Sequence, residues 1–481
     1  MFSKRNAIKQ SCVAFTLAVL VVLGNQTASL AQASDTTFAT TEISAIDEIS
    51  KNILLKEIEC ERFNIHFRQE YAKQGRWKGL RYFASQEANG GALLGGLVAA
   101  IAIRAHSLAG GRLAVDAAKG PQTVYPPPNK NALTNALIPQ LVGQIVGASG
   151  DGIELAINAF HAEQARLHGY DPARASRHAA QLKDEVWQLL NSRKRLIENC
   201  HLSDEQKQVL QMEGQLLSDL NDITQAEFRY FYLSRHRLLA FQTALYLFDI
   251  GRNVTGAIGN GLGIIANNNS NLPLNGPSNV LTTISGGLIL AMPVVSRLLG
   301  KADQIIESKR LDRLLGAEEF PDTASFNSHR QELKELLDRQ MDAGSAPGTI
   351  GQRLSLYAHE SFLNFSSLQI ADKEIEMGRR VDVDNIAAGE IIGATKLTNG
   401  ILGTVAGYKY PTYLRANLPL IMDGNIAFLS GTGMGLADNI RLQVVSEYDR
   451  YKLQQERKLP EQVFADRLNF LEAEEATVRK L

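Results

Sequence analysis

His359-Glu360 opens the His-Glu-x-x-His pattern that sets two histidines on one helix face around a zinc ion. Leu363 stands where the second histidine belongs, so the ligand pair is incomplete. His161, Glu163 and His168 share one predicted helix, but the histidines are seven residues apart, about 10 Å along the axis, too far to hold one ion between them. Gly259-Asn260-Gly261-Leu262-Gly263 and Gly431-Thr432-Gly433-Met434-Gly435 have the glycine density of a phosphate cradle. Neither follows an evident strand, and neither carries the Lys-Ser/Thr pair that such a loop needs. The run Arg229, Tyr230, Phe231, Tyr232, Arg235, His236, Arg237 mixes cations with rings, yet it falls inside a long helix, where it reads as a packed face beside a solvated one. No nucleophile elbow and no Cys-x-x-Cys pair occurs. The sequence therefore predicts a protein that is not an enzyme, with no catalytic residue, cofactor or metal site.

Residues 1–33 have the plan of a secretory signal peptide: Lys4, Arg5 and Lys9, an apolar run from Cys12 to Leu23, and the small-residue site Ala31-Gln32-Ala33. The apolar run is shorter than the roughly 20 residues of a membrane-spanning helix, which favours cleavage over anchoring. Export predicts a periplasmic, cell-envelope or extracellular location. Cys60 and Cys200 remain after cleavage, a candidate disulfide in an oxidising compartment or two buried free thiols. The chain balances 50 basic against 51 acidic residues, and no dense basic run stands out, so a nucleic-acid partner has no electrostatic support.

With 44% hydrophobic and 21% charged residues the chain can bury a core, and its glycines show how it is organised. Of 39 glycines, 28 fall in windows 88–111, 131–157, 251–300 and 389–437. These windows resolve into six short apolar segments in three pairs, broken at Pro126-Pro127-Pro128-Asn129, at Asn267 to Pro277 and at Tyr410-Pro411. Each pair reads as a helical hairpin. Phe63 lies 33 residues before Gly96, Phe228 lies 33 before Gly261, and Phe362 lies 38 before Gly400; Pro172, Pro321 and Pro460 follow the three hairpins. The expected organisation is three internal repeats: 34–202 with a hairpin at about 89–157, 203–342 with one at about 251–300, and 343–481 with one at about 386–437.

Long amphipathic segments flank the hairpins. Ser203-Asp204-Glu205-Gln206 is a capping-box pattern, after which Val209, Leu210, Leu216, Leu217, Leu220 and Ile223 recur at helical spacing. The expected fold is all-α: an elongated, coiled-coil-like bundle in which each repeat runs through a long helix, a glycine-rich apolar hairpin and a returning helix, with the three hairpins at one end.

Every apolar segment carries small residues four apart, the spacing that lets helix backbones approach closely. They are Gly91 and Gly95, Gly143 and Gly147, Gly259 and Gly263, Gly287 and Ala291, Gly403 and Gly407, and Gly431 and Gly435. From Asn253 to Ser296 no charged residue occurs. The other hairpins contain Arg104, Asp151 and Glu154, and Glu390, Lys396, Lys409, Arg415 and Asp423, which argue against independent insertion of each hairpin into lipid. The functional expectation is an exported cell-envelope protein whose hairpins mediate self-assembly or membrane association. Two alternatives stand beside it, a soluble secreted helical-bundle adaptor and a pore-forming or membrane-remodelling protein.

Overall fold

A computed structural model describes residues 34–71, 76–116, 120–316, 323–342, 349–358 and 389–481. The signal-peptide assignment at 1–33, Pro321 and the His359 to Phe362 motifs lie outside the described residues. The chain is 91% helical and all-α in class. In order, α1 is Ser34–Tyr71, α2 Arg76–Ala109, α3 Lys130–Leu167, α4 Pro172–Asn199, α5 Asp204–Asn268, α6 Asn275–Leu315, α7 Thr323–Asp342 and α8 Ile350–Ala358. Helix α9 covers 389–409, followed by α10 Leu414–Gln455 and α11 Pro460–Lys480.

Local chemistry sets the helix ends. Asn129 caps α3 by accepting from the Ala132 amide, and Asp171 caps α4 with Pro172 in its first turn. Ser203 and Gln206 close the reciprocal capping box that starts α5. From there α5 runs unbroken for 65 residues, about 98 Å, past the point near 250 where the sequence placed the start of a hairpin. Glycines in its second half do not break it, because neighbouring helices occupy the space their side chains leave.

One departure from the all-helical expectation lies between α2 and α3. Strands β1 (Arg112–Asp116) and β2 (Gly120–Val124) pair antiparallel, with Leu113 opposite Thr123. Gly110 and Gly111 stop the helix before them, and the proline run 126–128 delays the next one. Five residues per strand are too few for a period-2 pattern to stand out in the sequence.

Two regions follow from the packing. A body is built from α1, α4, the first half of α5, α7, α8 and α11 around Ile53, Leu54, Val186, Leu216, Leu217, Leu333 and Leu471. Here the amphipathic stripes meet as their spacing requires. At its centre Glu213 accepts from Arg193, Arg353 and Tyr357, with all four side chains buried. Cys60 and Cys200, the disulfide candidates, belong to the same core and stand there as free, buried thiols. Burial pushes both thiols up, that of Cys200 to about 11.

Above the body a layer of rings joins the helices, with Phe67 against Phe228 at 5.4 Å and Phe228 against Tyr232 at 5.7 Å. The basic-aromatic stretch of α5 is spent here: Tyr232 donates to Glu307, Arg229 pairs with Asp312, and His236 meets Asp303. Beyond this neck lie α2, α3, the second half of α5, α6, α9 and α10.

Candidate functional site

These six segments close into a ring. Around it α2 packs on α3, α3 on α5, α5 on α6, α6 on α9, α9 on α10, and α10 back on α2, each neighbour antiparallel to the last. Glycine makes the approaches possible at every step. A Cβ on Gly143 would lie 2.8 Å from Ala92 Cβ, one on Gly147 2.7 Å from Asn253 Nδ2, and one on Gly259 2.9 Å from Ser278 O. One on Gly407 would lie 2.7 Å from Gly276 N, one on Gly424 2.8 Å from Asn399 Oδ1, and one on Gly90 2.6 Å from Leu436 Cδ2. Backbones in such contact gain dispersion energy that offsets the roughly 1 kcal/mol helix cost of each glycine.

The small residues singled out in the sequence divide into two groups. Gly143, Gly147, Gly259, Gly263, Gly403, Gly407, Gly431 and Gly435 all face a neighbouring helix of this same chain. Gly91, Gly95 and Gly287 have nothing within 4 Å of a Cβ position, and Ala291 is half-buried.

Around the ring the usual arrangement of a water-soluble bundle is partly inverted: apolar residues cover much of the outside, and the buried faces mix polar groups with an apolar cluster of Leu93, Leu97 and Phe428. One outward residue from each helix, Val98, Ile145, Ile258, Val294, Ile401 and Met434, is between 47% and 59% exposed. One inward residue from each, Asn89, Gln144, Asn253, Ser285, Asn399 and Asn425, is 8% exposed or less. Two helices, Leu80–Ala109 and Leu272–Leu315, are long and apolar enough to cross a membrane, with only 28% and 22% of their most apolar windows buried.

Inside the ring polar groups bond to one another across helices. Asn89 donates to Asn253 at 3.1 Å, and Asn260 donates to Gln144 at 3.1 Å. Asp151 accepts from Gln86 at 3.1 Å and from Asn253 at 3.4 Å. Asp249 accepts from Tyr82 at 2.8 Å and pairs with Arg252 at 2.6 Å, while Arg81 reaches Glu154 at 2.8 Å. Charges removed from water in this way are held by partners, and breaking such a pair costs about 3–5 kcal/mol. Lys396 is the exception, 3% exposed and lying over the Phe428 ring at 5.5 Å.

Asp151, Glu154 and Lys396 are buried within the ring, whereas Glu390, Lys409 and Arg415 are exposed near helix ends and Asp423 is exposed midway along the ring, next to Gly424, which packs on Asn399. Of the inward polar set, Asp151, Glu154 and Lys396 were named in the sequence as charges within the hairpins, but the inward amides were not. A signal for the set exists in Gln140, Gln144, Gly147, Asp151 and Glu154, polar or small residues repeating at helical spacing within one apolar segment.

Other candidates have plain roles. His168 sits beside Glu70, and His161 beside Gln164. Among the described residues no group of three metal-ligating side chains comes together. Comparison of the chain with known protein families, with curated proteins and with solved structures finds no match.

Proposed function

We propose that this protein is a membrane-embedded, non-enzymatic unit of the cell envelope, whose six-helix ring crosses the bilayer and gives small polar solutes a hydrophilic path through it. The partial inversion of the ring carries this reading: each helix offers a branched or long apolar side chain outward and an amide or hydroxyl inward. Left in water, that outer belt would be an aggregation surface, which disfavours a soluble adaptor. In lipid it is matched to its solvent, and many of the interior polar groups bond to one another across helices.

Dimensions support the same reading. Glu390 and Lys409, exposed at the two ends of α9, are 19 residues apart, about 29 Å, close to the roughly 30 Å hydrocarbon thickness. Exposed Tyr408 and Tyr413 stand at one end of the belt and Tyr448 and Tyr451 beyond the other, as interfacial rings do. Pro139, Pro293 and Pro419 lie inside one continuous helix of each hairpin, a composition common in spanning helices. The three hairpins read as copies of one repeat, with Phe63 and Phe228 at matching positions. A single chain then supplies all six spans, so no charged hairpin enters lipid alone.

Arg112, Lys130, Lys409 and Arg415 gather at the hairpin tips against Asp116. By the positive-inside rule the tips face the cytoplasm and the body stays in the compartment reached through the signal peptide. Mature protein should resist carbonate extraction from membranes, and Ser270→Cys at the second tip should take up an impermeant maleimide only from the cytoplasmic side. Release by carbonate would overturn the reading. Gly91, Gly95 and Gly287, open on the outer belt, favour lateral self-association of rings as a second role. A Gly91→Leu, Gly95→Leu variant that keeps the wild-type oligomeric size in detergent would remove it.

A further inference from the structure

We propose that the interior of the ring binds a small monovalent anion, with the Lys396 ammonium as its counter-charge and the Thr432 hydroxyl as a second donor. The inference deepens the path proposed above by naming a class of solute. Its binding step needs only the ring, while transport needs the membrane reading as well.

Lys396 cannot be turned outward. Its ammonium lies over Phe428 of α10 and feels the charge of Arg252 of α5, and those two helices are not neighbours in the ring. A side chain on α9 that is 3% exposed and lies over a buried ring of α10 points into the interior. Burial there takes a cation out of water, at a cost of several kcal/mol unless something of opposite charge receives it. No carboxylate among the described residues does so. Asp249 is taken by Arg252 and Tyr82, Asp151 by Gln86 and Asn253, and Glu154 by Arg81.

The Phe428 ring attracts the ammonium but leaves its N–H groups without an acceptor. One turn along the same inward face of α10, Thr432 is 5% exposed and its Oγ1 has no hydrogen-bond partner. A buried hydroxyl with no partner and a buried cation with no carboxylate beside it thus stand on adjacent helices, next to the apolar cluster of Leu93, Leu97 and Phe428. An anion held by charge-assisted hydrogen bonds satisfies both.

Thermal unfolding of the full chain in detergent, with chloride, acetate or bulky gluconate as the sodium salt at equal ionic strength, tests the site. Chloride or acetate should stabilise the wild type relative to gluconate, chloride alone marking a halide site and both a site open to small carboxylates. Lys396→Met should abolish the difference, and Lys396→Arg should retain it. Affinity for chloride should fall about tenfold or more in Lys396→Met, the loss expected for one charge-assisted contact. In gluconate, Lys396→Met should be at least as stable as wild type, because it removes a buried charge with no partner. That outcome separates a binding role from a merely structural one, in which the substitution would destabilise in every salt. Equal stability of the wild type in all three salts, or an anion response that survives Lys396→Met, overturns the site. In liposomes, chloride binding without Lys396-dependent chloride efflux supports the site and overturns the path.

Discussion

Glu57 on α1 is 1% exposed in the body core, and neither of its carboxylate oxygens has a hydrogen-bond partner. Burial pushes its pKa up to about 8, with Asp222 and Glu61 adding to the rise. Thr224 pulls the other way, but its hydroxyl donates to Leu220 O at 3.0 Å and gives the carboxylate little relief. The sign follows from proton counting. Between its unfolded value near 4.5 and about 8 the native state binds more protons at Glu57 than the unfolded chain does, so stability falls as pH rises through that window. Each pH unit removes about 1.4 kcal/mol, about 5 kcal/mol in all by pH 8, before any relaxation of the site. Glu57→Gln keeps the shape of the neutral acid and cannot ionise. Thermal unfolding of the full chain in detergent, followed by circular dichroism from pH 5 to pH 9, should show the variant and wild type nearly level at pH 5. They should then diverge in favour of the variant, by on the order of 10 °C at pH 8.5. A difference that stays constant across the series would refute the argument from burial.

Other consequences are equally direct. Around Glu213 burial alone would raise the carboxyl, but Arg193 and Arg353 outweigh it and hold the pKa below the ordinary range. Its contribution to stability is therefore present above about pH 4.5 and lost as pH falls through the depressed folded value, and Glu213→Ala should destabilise the body by about 3–5 kcal/mol at neutral pH in denaturant titration. Adjacent glycines on α6 should respond oppositely. A Cβ on Gly286 would lie 2.5 Å from the Leu397 amide nitrogen, so Gly286→Leu should disrupt the ring, whereas Gly287→Leu meets open space and should leave thermal stability within about 1 kcal/mol of wild type. Cys60 and Cys200 should both be alkylated only after unfolding, with no bridged peptide in a non-reducing mass map.

Much of the architecture was legible because its signals are local. The Ser203 to Gln206 cap, the stripes of Val209 to Leu220 and the glycine windows each mark a helix or a tight contact within a few residues of sequence. The equal offsets of Phe63 and Phe228 suggested a repeat; in the fold the two rings lie tilted at 6.2 Å, a contact that says nothing of repetition. Less visible was which face of each apolar helix would turn inward. Asn89, Asn253 and Lys396 look like polar interruptions in their own segments, and only closure of six segments from distant parts of the chain makes them neighbours. Orphaned groups such as Thr432 Oγ1 and the oxygens of Glu57 are likewise properties of assembled surroundings. The β1–β2 pair escaped notice because two five-residue strands between helix-stopping glycines and prolines leave almost no periodic trace.

Helix α5 joins the buried ion cluster at Glu213 to the polar interior at Asp249 without a break. A loop at that junction would absorb twist as slack, whereas a continuous rod hands it on. A twist of the body is therefore passed along one rod toward Asn253 and Asn260 rather than taken up by a hinge between the two regions.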